Sequence, residues 1–250
     1  METFVAMSGG TDSTALALMM EDATLLFTDT GDEFPELYAH LDKFERVTGR
    51  LIERIRTDEA LPEYAVRAKY LPGHGSRYCT RMFKIEPMNR YLTDHLPAQL
   101  CIGLRADEPA DDRVGNLSEI EGLQIRYPFR ERGWFRAHCV QKCLEYDLLP
   151  RYPVYMARGG CKGCFYKRKS EVMAMAVLTP HILDELQARE EAVQDERSRF
   201  AIMFPNTGSS IAYLRAGVAA QPELFDTSQV WRDAGDVSDK GEACGLFCHR

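Results

Sequence analysis

The 250-residue chain is 45% hydrophobic and carries a formal net charge of −7. That apolar content suffices for one well-buried α/β domain plus an appendage, and the acidic balance excludes a general polyanion binder. No apolar run approaches the roughly 18 residues of a membrane span, and METFVAMSGG has no basic region ahead of an apolar one, so a cytoplasmic protein without signal peptide or membrane partner is expected.

Along the chain, Thr3–Met7 is a short apolar run ending at a glycine turn, which predicts a buried strand. Thr11–Met20 carries Ala, Leu and Met at helical spacing. Ala23–Phe27 predicts a second strand. Pro35–Thr48 predicts an amphipathic helix with Leu37, Leu41, Phe44 and Val47 on one face, stopped by Gly49. Leu51–Ile55, Leu100–Leu104 and Gln124–Tyr127 predict three more strands. Strands alternating with helices imply an α/β fold, a doubly wound parallel five-stranded sheet with helices on both faces. Beyond Pro128 the pattern turns helical, over Phe135–Tyr146, Lys169–Val177 and His181–Met203, with a turn at Asn206–Gly208. From Gly217 the chain is rich in Asp, Gly and Ser.

The sharpest motif is Ser8-Gly9-Gly10-Thr11-Asp12-Ser13, placed where the first strand ends and the first helix begins. Two glycines let the backbone approach a ligand without a Cβ in the way. The N–H groups of the helix start, with their partial positive charge, then face an anion, and Ser8 and Ser13 add hydroxyls. A plain strand–helix turn would need only one such residue as a cap. The string resembles the PP-loop of the N-type ATP pyrophosphatases, which holds the pyrophosphate part of a nucleotide. It is not a Walker loop, since no GK[ST] follows.

Further stretches resemble the phosphoadenosine phosphosulfate (PAPS) reductase family within that superfamily. Thr28-Asp29-Thr30-Gly31-Asp32-Glu33-Phe34-Pro35-Glu36 is similar to its TGDEFPET stretch. Lys84-Ile85-Glu86-Pro87-Met88-Asn89 is similar to its KxEPMN segment. Gly103-Leu104-Arg105-Ala106-Asp107-Glu108, with Arg113 after it, resembles its GxRxxE element, and Tyr127-Pro128 with Trp134 its YPLxxW. The resemblance covers roughly residues 3–170. It implies a PP-loop adenine-nucleotide-binding domain over 1–130, and a helical, cluster-binding region with a flexible cysteine-containing tail over 131–250. It also implies a nucleotide site of Ser8, Gly9, Gly10, Thr11, Asp12, Ser13, Asp29, Thr30, Gly31, Gly103, Arg105 and Arg113. Guanidinium groups at a strand end suit phosphate or sulfate, and Asp12 is a candidate to position Mg²⁺.

Eight cysteines in a cytosolic chain point to metal, cluster or redox work rather than disulfides. Cys161-Lys162-Gly163-Cys164 is a C-x-x-C in a glycine-rich turn, a spacing that aims two thiolates at one centre. Cys79 stands where cluster-bearing adenylylsulfate reductases carry a Cys-Cys pair. The resemblance therefore implies Cys79, Cys161 and Cys164 as ligands of a [4Fe-4S] cluster, with structural zinc as the alternative. The fourth ligand is left open among Cys139, Cys143, Cys244 and Cys248. The Glu242–His249 stretch also resembles the ECGLH tail in which a cysteine attacks sulfur, so Cys244 is a candidate nucleophile as well as a candidate ligand. Cys101, inside an apolar strand, is expected in the core.

Two readings of function follow. In the first, ATP is cleaved with Asp12 and Arg105 at the reacting phosphates, pyrophosphate leaves into the helix N-terminus, and the iron–sulfur cluster holds a sulfur, taken from a donor, that displaces AMP from an acceptor such as tRNA or DNA met by the basic stretch at Lys167–Lys169. In the second, Cys244 reduces adenylylsulfate or its 3′-phosphate, with thioredoxin or glutathione resolving the product. A nucleotide-sensing module without turnover is the third.

Overall fold

The computed structural model describes residues 1–108, 120–156, 159–194 and 201–220. Five strands form one parallel sheet: β1 (Glu2–Ala6), β2 (Thr24–Thr28), β3 (Ile52–Ile55), β4 (Ala98–Cys101) and β5 (Leu123–Arg126), in the order β3-β2-β1-β4-β5. The fold class expected from the alternation of elements is the one observed. β1 is central because it is apolar on both faces. Val5 and Met7 turn into one hydrophobic cluster, Phe4 and Ala6 into the other, as the two-residue period of a strand requires.

On the first face lie α1 (Thr11–Met19), α2 (Pro35–Thr48) and α7 (Arg136–Glu145), packing Leu16, Leu41, Phe44, Cys139, Cys143 and Leu148 against Val5 and Leu25. This cluster takes in Phe129 of α6 (Pro128–Glu131), so it crosses residues 130 and 131 and continues to Leu148. On the second face lies α5 (Glu86–Thr93), whose Met88 and Leu92 pack on Phe4, Leu26 and Leu100. Neighbouring strands on the two sides of β1 are reached by opposite connections, so the C-terminal end of β1 is the switch point at which open α/β sheets bind ligands.

The structure differs from the sequence expectations in four places. The fourth strand is Ala98–Cys101 rather than Leu100–Leu104, because Ile102 already bonds to Arg126 at the sheet's end and Gly103 and Leu104 belong to the following loop. Between β3 and β4 lie α3 (Leu61–Ala68) and a helical run of α4 (Tyr78–Thr80), a π-turn at Arg81–Ile85 and α5, none of which the periodicity announced. Pro87 belongs to the stretch that resembles the KxEPMN segment. Here it falls in the first turn of α5, where no N–H is needed. The helix expected over His181–Met203 is α9 (Pro180–Val193), preceded by α8 (Lys169–Leu178). Gly217 lies inside α10 (Ile211–Ala220) rather than in a tail. The turn Asn206–Gly208 falls on a short 3₁₀ segment, Pro205–Thr207. α8, α9 and α10 share a second cluster with Phe34, Ala65 and Leu71. Among the described residues no helix is long and apolar enough to cross a membrane.

Beneath the loop after β1, His40 of α2 is buried and its Nε2 lies 2.9 Å from Thr14 Oγ1. Burial, reinforced by the charge of Lys43, pushes its pKa down to about 4. Folded His40 therefore stays neutral between pH 4 and its unfolded pKa near 6.5, where the unfolded chain takes up a proton. Its contribution is complete above pH 6.5 and declines as pH falls through that window, by about 3 kcal/mol in the limit. Replacing His40 with Gln should flatten the dependence of Tm on pH between 4 and 6.5 relative to the parent. Parallel curves for the two proteins would refute this origin of acid sensitivity.

Candidate functional site

The Ser8–Ser13 loop joins β1 to α1 at the switch point. Gly9 has φ +73°, the left-handed region, and a Cβ there would sit 3.1 Å from Leu37 Cγ of α2. Both facts favour glycine. Gly10 is the N-cap in extended conformation and makes no side-chain cap hydrogen bond, so the first N–H groups of α1 are left for a ligand. The Ser8 N–H and Ser8 Oγ–H both donate to Ser13 Oγ at 3.1 Å, and Ser13 Oγ–H donates to the Gly10 carbonyl at 3.1 Å. The two serines thus brace the loop in an open curve. Thr11 begins the helix, and its carbonyl accepts from the Cys143 thiol at 3.4 Å.

Asp12 points into the protein. Its Oδ2 forms a buried ion pair with Arg105 Nη1, the two side chains 7% and 6% exposed. Arg105 also meets Asp107 Oδ1 at 3.0 Å and Glu108 Oε1 at 3.7 Å. Burial opposes the guanidinium's charge, but the carboxylates of Asp12, Glu108 and Asp107 outweigh it and hold the group above its ordinary pKa. Asp12 Oδ1 is buried and meets no N–H or O–H donor among the described residues, although the Asp12 carboxylate lies beside the Cys139 thiol. It is the carboxylate oxygen at this loop with capacity left for a metal ion held by phosphates, the sparse protein ligation that suits Mg²⁺. Gly103 lets the chain after β4 close on this pair, since a Cβ there would lie 3.3 Å from the Asp12 carbonyl oxygen. Asp12 and Arg105, 93 positions apart, therefore clamp the loop to the end of β4.

β2 ends beside β1 and runs into Asp29, Thr30 and Gly31. Asp29 is held by three groups: Tyr38 O–H donates to Oδ1 at 2.7 Å, Gly31 N–H to the same oxygen at 2.9 Å, and Arg56 Nε to Oδ2 at 2.8 Å. Gly31 has φ +76° and an added Cβ would lie 2.8 Å from Ala60 Cβ, so no other residue suits it. The Thr30 hydroxyl donates to Glu33 Oε1 at 3.1 Å. Of the expected nucleotide residues, the structure thus gathers Ser8 to Ser13, Asp29 to Gly31, Gly103 and Arg105 at one end of the sheet. Arg113 falls outside the described residues.

Cys79, Cys161 and Cys164 line one small cavity of about 30 Å³, together with Thr30, Asp32 and Lys84. They come from two places in the sequence, Cys79 and the Cys161–Cys164 loop, and line the same cavity. Among the described residues, however, no three His, Cys, Asp or Glu side chains stand close enough together to hold a metal ion, and the cavity has room for about one water. The three thiols have the chemistry of a soft metal site, and a cluster or zinc ion would need them drawn closer together than they stand here. Cys139 and Cys143 are corrected as ligand candidates: both are fully buried in α7 against α1, in the first-face cluster. Burial, helped by the charge of Asp12, pushes the Cys143 thiol up to about 12 and raises Cys139 further. Cys101 is in the core, as expected. Cys244 and Cys248 fall outside the described residues.

Within the basic stretch at Lys167–Lys169, Arg168 and Lys169 are exposed but Lys167 turns inward. Lys167 is 2% exposed, with Nζ 3.3 Å from Met156 Sδ and 4.7 Å from the centre of the Phe34 ring. Burial lowers its pKa, against the raising influence of Cys164 and Glu171, so it offers no face to a nucleic acid. Two functional-region residues escaped sequence reasoning. Asp32 and Arg189 form a buried ion pair at 2.7 Å, 157 positions apart. The signal available for Asp32 was its place inside the acidic Thr28–Glu36 match; Arg189, on a charged helix, carried none.

Residues 2–122 match the family described as phosphoadenosine phosphosulfate reductase domain. Over 99 residues the chain is 30% identical to an uncharacterized protein of Methanocaldococcus jannaschii, covering 36% of this chain and about a fifth (20%) of that protein's length. Among solved structures, phosphoadenylyl-sulfate (PAPS) reductase from Candida auris aligns at TM-score 0.44 and 17% identity, over 59% of this chain and 73% of that one. A protein described as a predicted subunit of tRNA methyltransferase from Methanocaldococcus jannaschii aligns at TM-score 0.37 and 18% identity, over 61% and 92%. The loop and the strand ends that surround it lie within residues 2–122, the part of the chain that is similar to the phosphoadenosine phosphosulfate reductase domain family.

Proposed function

We propose that the protein is an adenine-nucleotide enzyme of the PP-loop kind, which cleaves ATP to AMP and pyrophosphate while activating an acceptor for sulfur transfer. The observation that carries this reading is the N-terminus of α1, opened by Gly9 and Gly10 and left without a side-chain cap. Such a group of N–H donors, fixed before the ligand arrives, stabilises a leaving pyrophosphate without reorganising. Ser8 and Ser13 hold the curve of the loop. Arg105, tied by Asp12, keeps that curve against β4. Asp12 Oδ1 would meet a Mg²⁺ ion brought in with the phosphates. The acceptor oxygen attacks the α-phosphorus, the bond to the β-phosphate oxygen breaks, and the adenylated acceptor is then open to a sulfur nucleophile that displaces AMP.

Cys79, Cys161 and Cys164, which line one cavity with Thr30, are proposed as the thiols that serve such chemistry. A cluster or zinc ion would need them drawn closer together, with a fourth ligand from outside the described residues, and no step above depends on one. The acceptor is proposed as a tRNA or DNA group; thioredoxin as partner belongs to the second reading only. That second reading is sulfonucleotide reduction with Cys244 as nucleophile, favoured by the family to which residues 2–122 match.

Incubation with γ-labelled ATP and Mg²⁺ decides between them. Release of pyrophosphate, with AMP formed in equal amount, is expected. No pyrophosphate release, together with binding of adenylylsulfate and consumption of one thiol pair per turnover, would overturn the first reading in favour of the second.

A further inference from the structure

Residues 29–34 face two neighbourhoods in turn. Asp29, Thr30 and Gly31 follow β2 beside the Ser8–Ser13 loop. The next three residues each touch the cysteine loop. The Asp32 carbonyl accepts from Lys162 N–H at 2.7 Å and its Oδ2 from Gly163 N–H at 3.0 Å. Glu33 pairs with Cys161 as an antiparallel bridge, and the Cys161 thiol donates to Glu33 Oε1 at 3.5 Å. The Phe34 ring lies under the Lys167 ammonium. Asp32 is 1% exposed, and its remaining oxygen takes the Arg189 guanidinium from α9 at 2.7 Å. There is no slack in the contact, since a Cβ at Gly163 would lie 2.9 Å from both Asp32 Oδ2 and Arg189 Nη1.

We propose that Asp32 is the positioning residue that ties the Cys161–Cys164 loop to the nucleotide loop, so that an adenine nucleotide in the site tightens the cysteine loop and shields Cys164. The proposal rests on the nucleotide reading above. Its physical basis is a buried carboxylate whose oxygens are satisfied by two different elements. Breaking either bond leaves a charge or a donor unpaired in the interior, so the cysteine loop follows Asp32 rather than parting from it. A ligand that orders Thr30 and Gly31 therefore orders Lys162 and Gly163. Linkage makes the effect reciprocal: whatever factor nucleotide binding imposes on the cysteine loop, a change at Cys164 imposes on nucleotide affinity.

The test is the rate at which iodoacetamide alkylates Cys164 in the full chain, read by peptide mass spectrometry, with and without a non-hydrolysable ATP analogue and Mg²⁺. Calorimetry on the same samples measures how much nucleotide is bound. With nucleotide bound, the parent should be alkylated about tenfold more slowly, within the usual range of coupling between sites. Asp32→Asn should bind nucleotide within a few-fold of the parent yet show less than twofold protection. Gly163→Ala, whose added Cβ would lie 2.9 Å from Asp32 Oδ2 and Arg189 Nη1 and so pushes the loop off Asp32 without changing any formal charge, should do the same and serves if Asp32→Asn does not fold. Equal rates with and without bound nucleotide in the parent would overturn the proposal. Full protection in both folded variants would also overturn it, by showing that the nucleotide simply covers the thiol. Absence of any nucleotide binding would bring down the functional reading itself, and calorimetry separates that case from the others.

Discussion

Replacing Asp12 with alanine will destabilise the protein by about 3 kcal/mol, because it leaves the Arg105 guanidinium buried with its nearest carboxylate gone. The pair is 7% and 6% exposed, so solvent cannot take over the charge. Asp107 and Glu108 soften the loss without cancelling it, since Asp107 is 41% exposed and Glu108 stands 3.7 Å away. Urea denaturation will show the midpoint lowered with the slope unchanged. Removing both charges, as Asp12→Leu with Arg105→Met, should recover most of the stability, because a buried pair exchanged for apolar groups of similar volume is close to neutral. Neither protein should bind nucleotide at parental affinity, since the loop has lost its clamp to β4. A single variant within 0.5 kcal/mol or so of the parent would mean that Asp12 serves the ligand alone. A residue that only positions Mg²⁺ would carry no cost to folding; the buried pair is the reason to expect one.

Gly10→Asp should separate stability from binding in the opposite direction. Gly10 occupies the N-cap of α1 at φ −83° and ψ 167°, a backbone conformation that aspartate adopts freely. An aspartate there accepts hydrogen bonds from the N–H groups of the first turn and suits the helix dipole, which should raise stability by about 1 kcal/mol. The same carboxylate fills the anion site and repels phosphate, so ATP affinity should fall by about 100-fold, the scale of charge repulsion at a desolvated site. Gly10→Ala, which caps nothing, should bind far better than Gly10→Asp. The measurements are Tm and calorimetric affinity on the three proteins. A Gly10→Asp protein that binds ATP normally would place the phosphates elsewhere and end the assignment of this loop.

Much of the nucleotide-binding half was legible because its information is local. A glycine pair between an apolar run and a helical run specifies both the turn and the exposure of N–H groups within six residues. The alternation of β1 to β3 with α1 and α2 is likewise carried by short periodic patterns. The region between β3 and β4 was opaque for the same reason. Its helices are short, and their apolar residues, such as Leu61, Tyr78 and Phe83, pack in a small cluster of their own rather than along an extended stripe. The C-x-x-C was visible as spacing, but spacing says nothing of how near a third thiol comes.

What the sequence by itself determined, then, was the doubly wound class, the glycine loop between β1 and α1, the likeness of residues 2–122 to a reductase domain family, and which cysteines share a neighbourhood. Each of these depends on residues close in sequence, whose propensities and periods act before the chain is compact. The tertiary structure alone decided the pairings across the fold: Asp12 with Arg105, Asp32 with Arg189, Lys167 beneath the cysteine loop, and Cys139 and Cys143 withdrawn into the core. A charged or sulfur-bearing side chain reads the same in a sequence whether it faces water, a ligand or another charge. Burial separates these cases, because desolvation makes an unpaired charge prohibitive. Which partner meets it is set by the crossing of elements 93 or 157 positions apart, a distance over which no local pattern carries information.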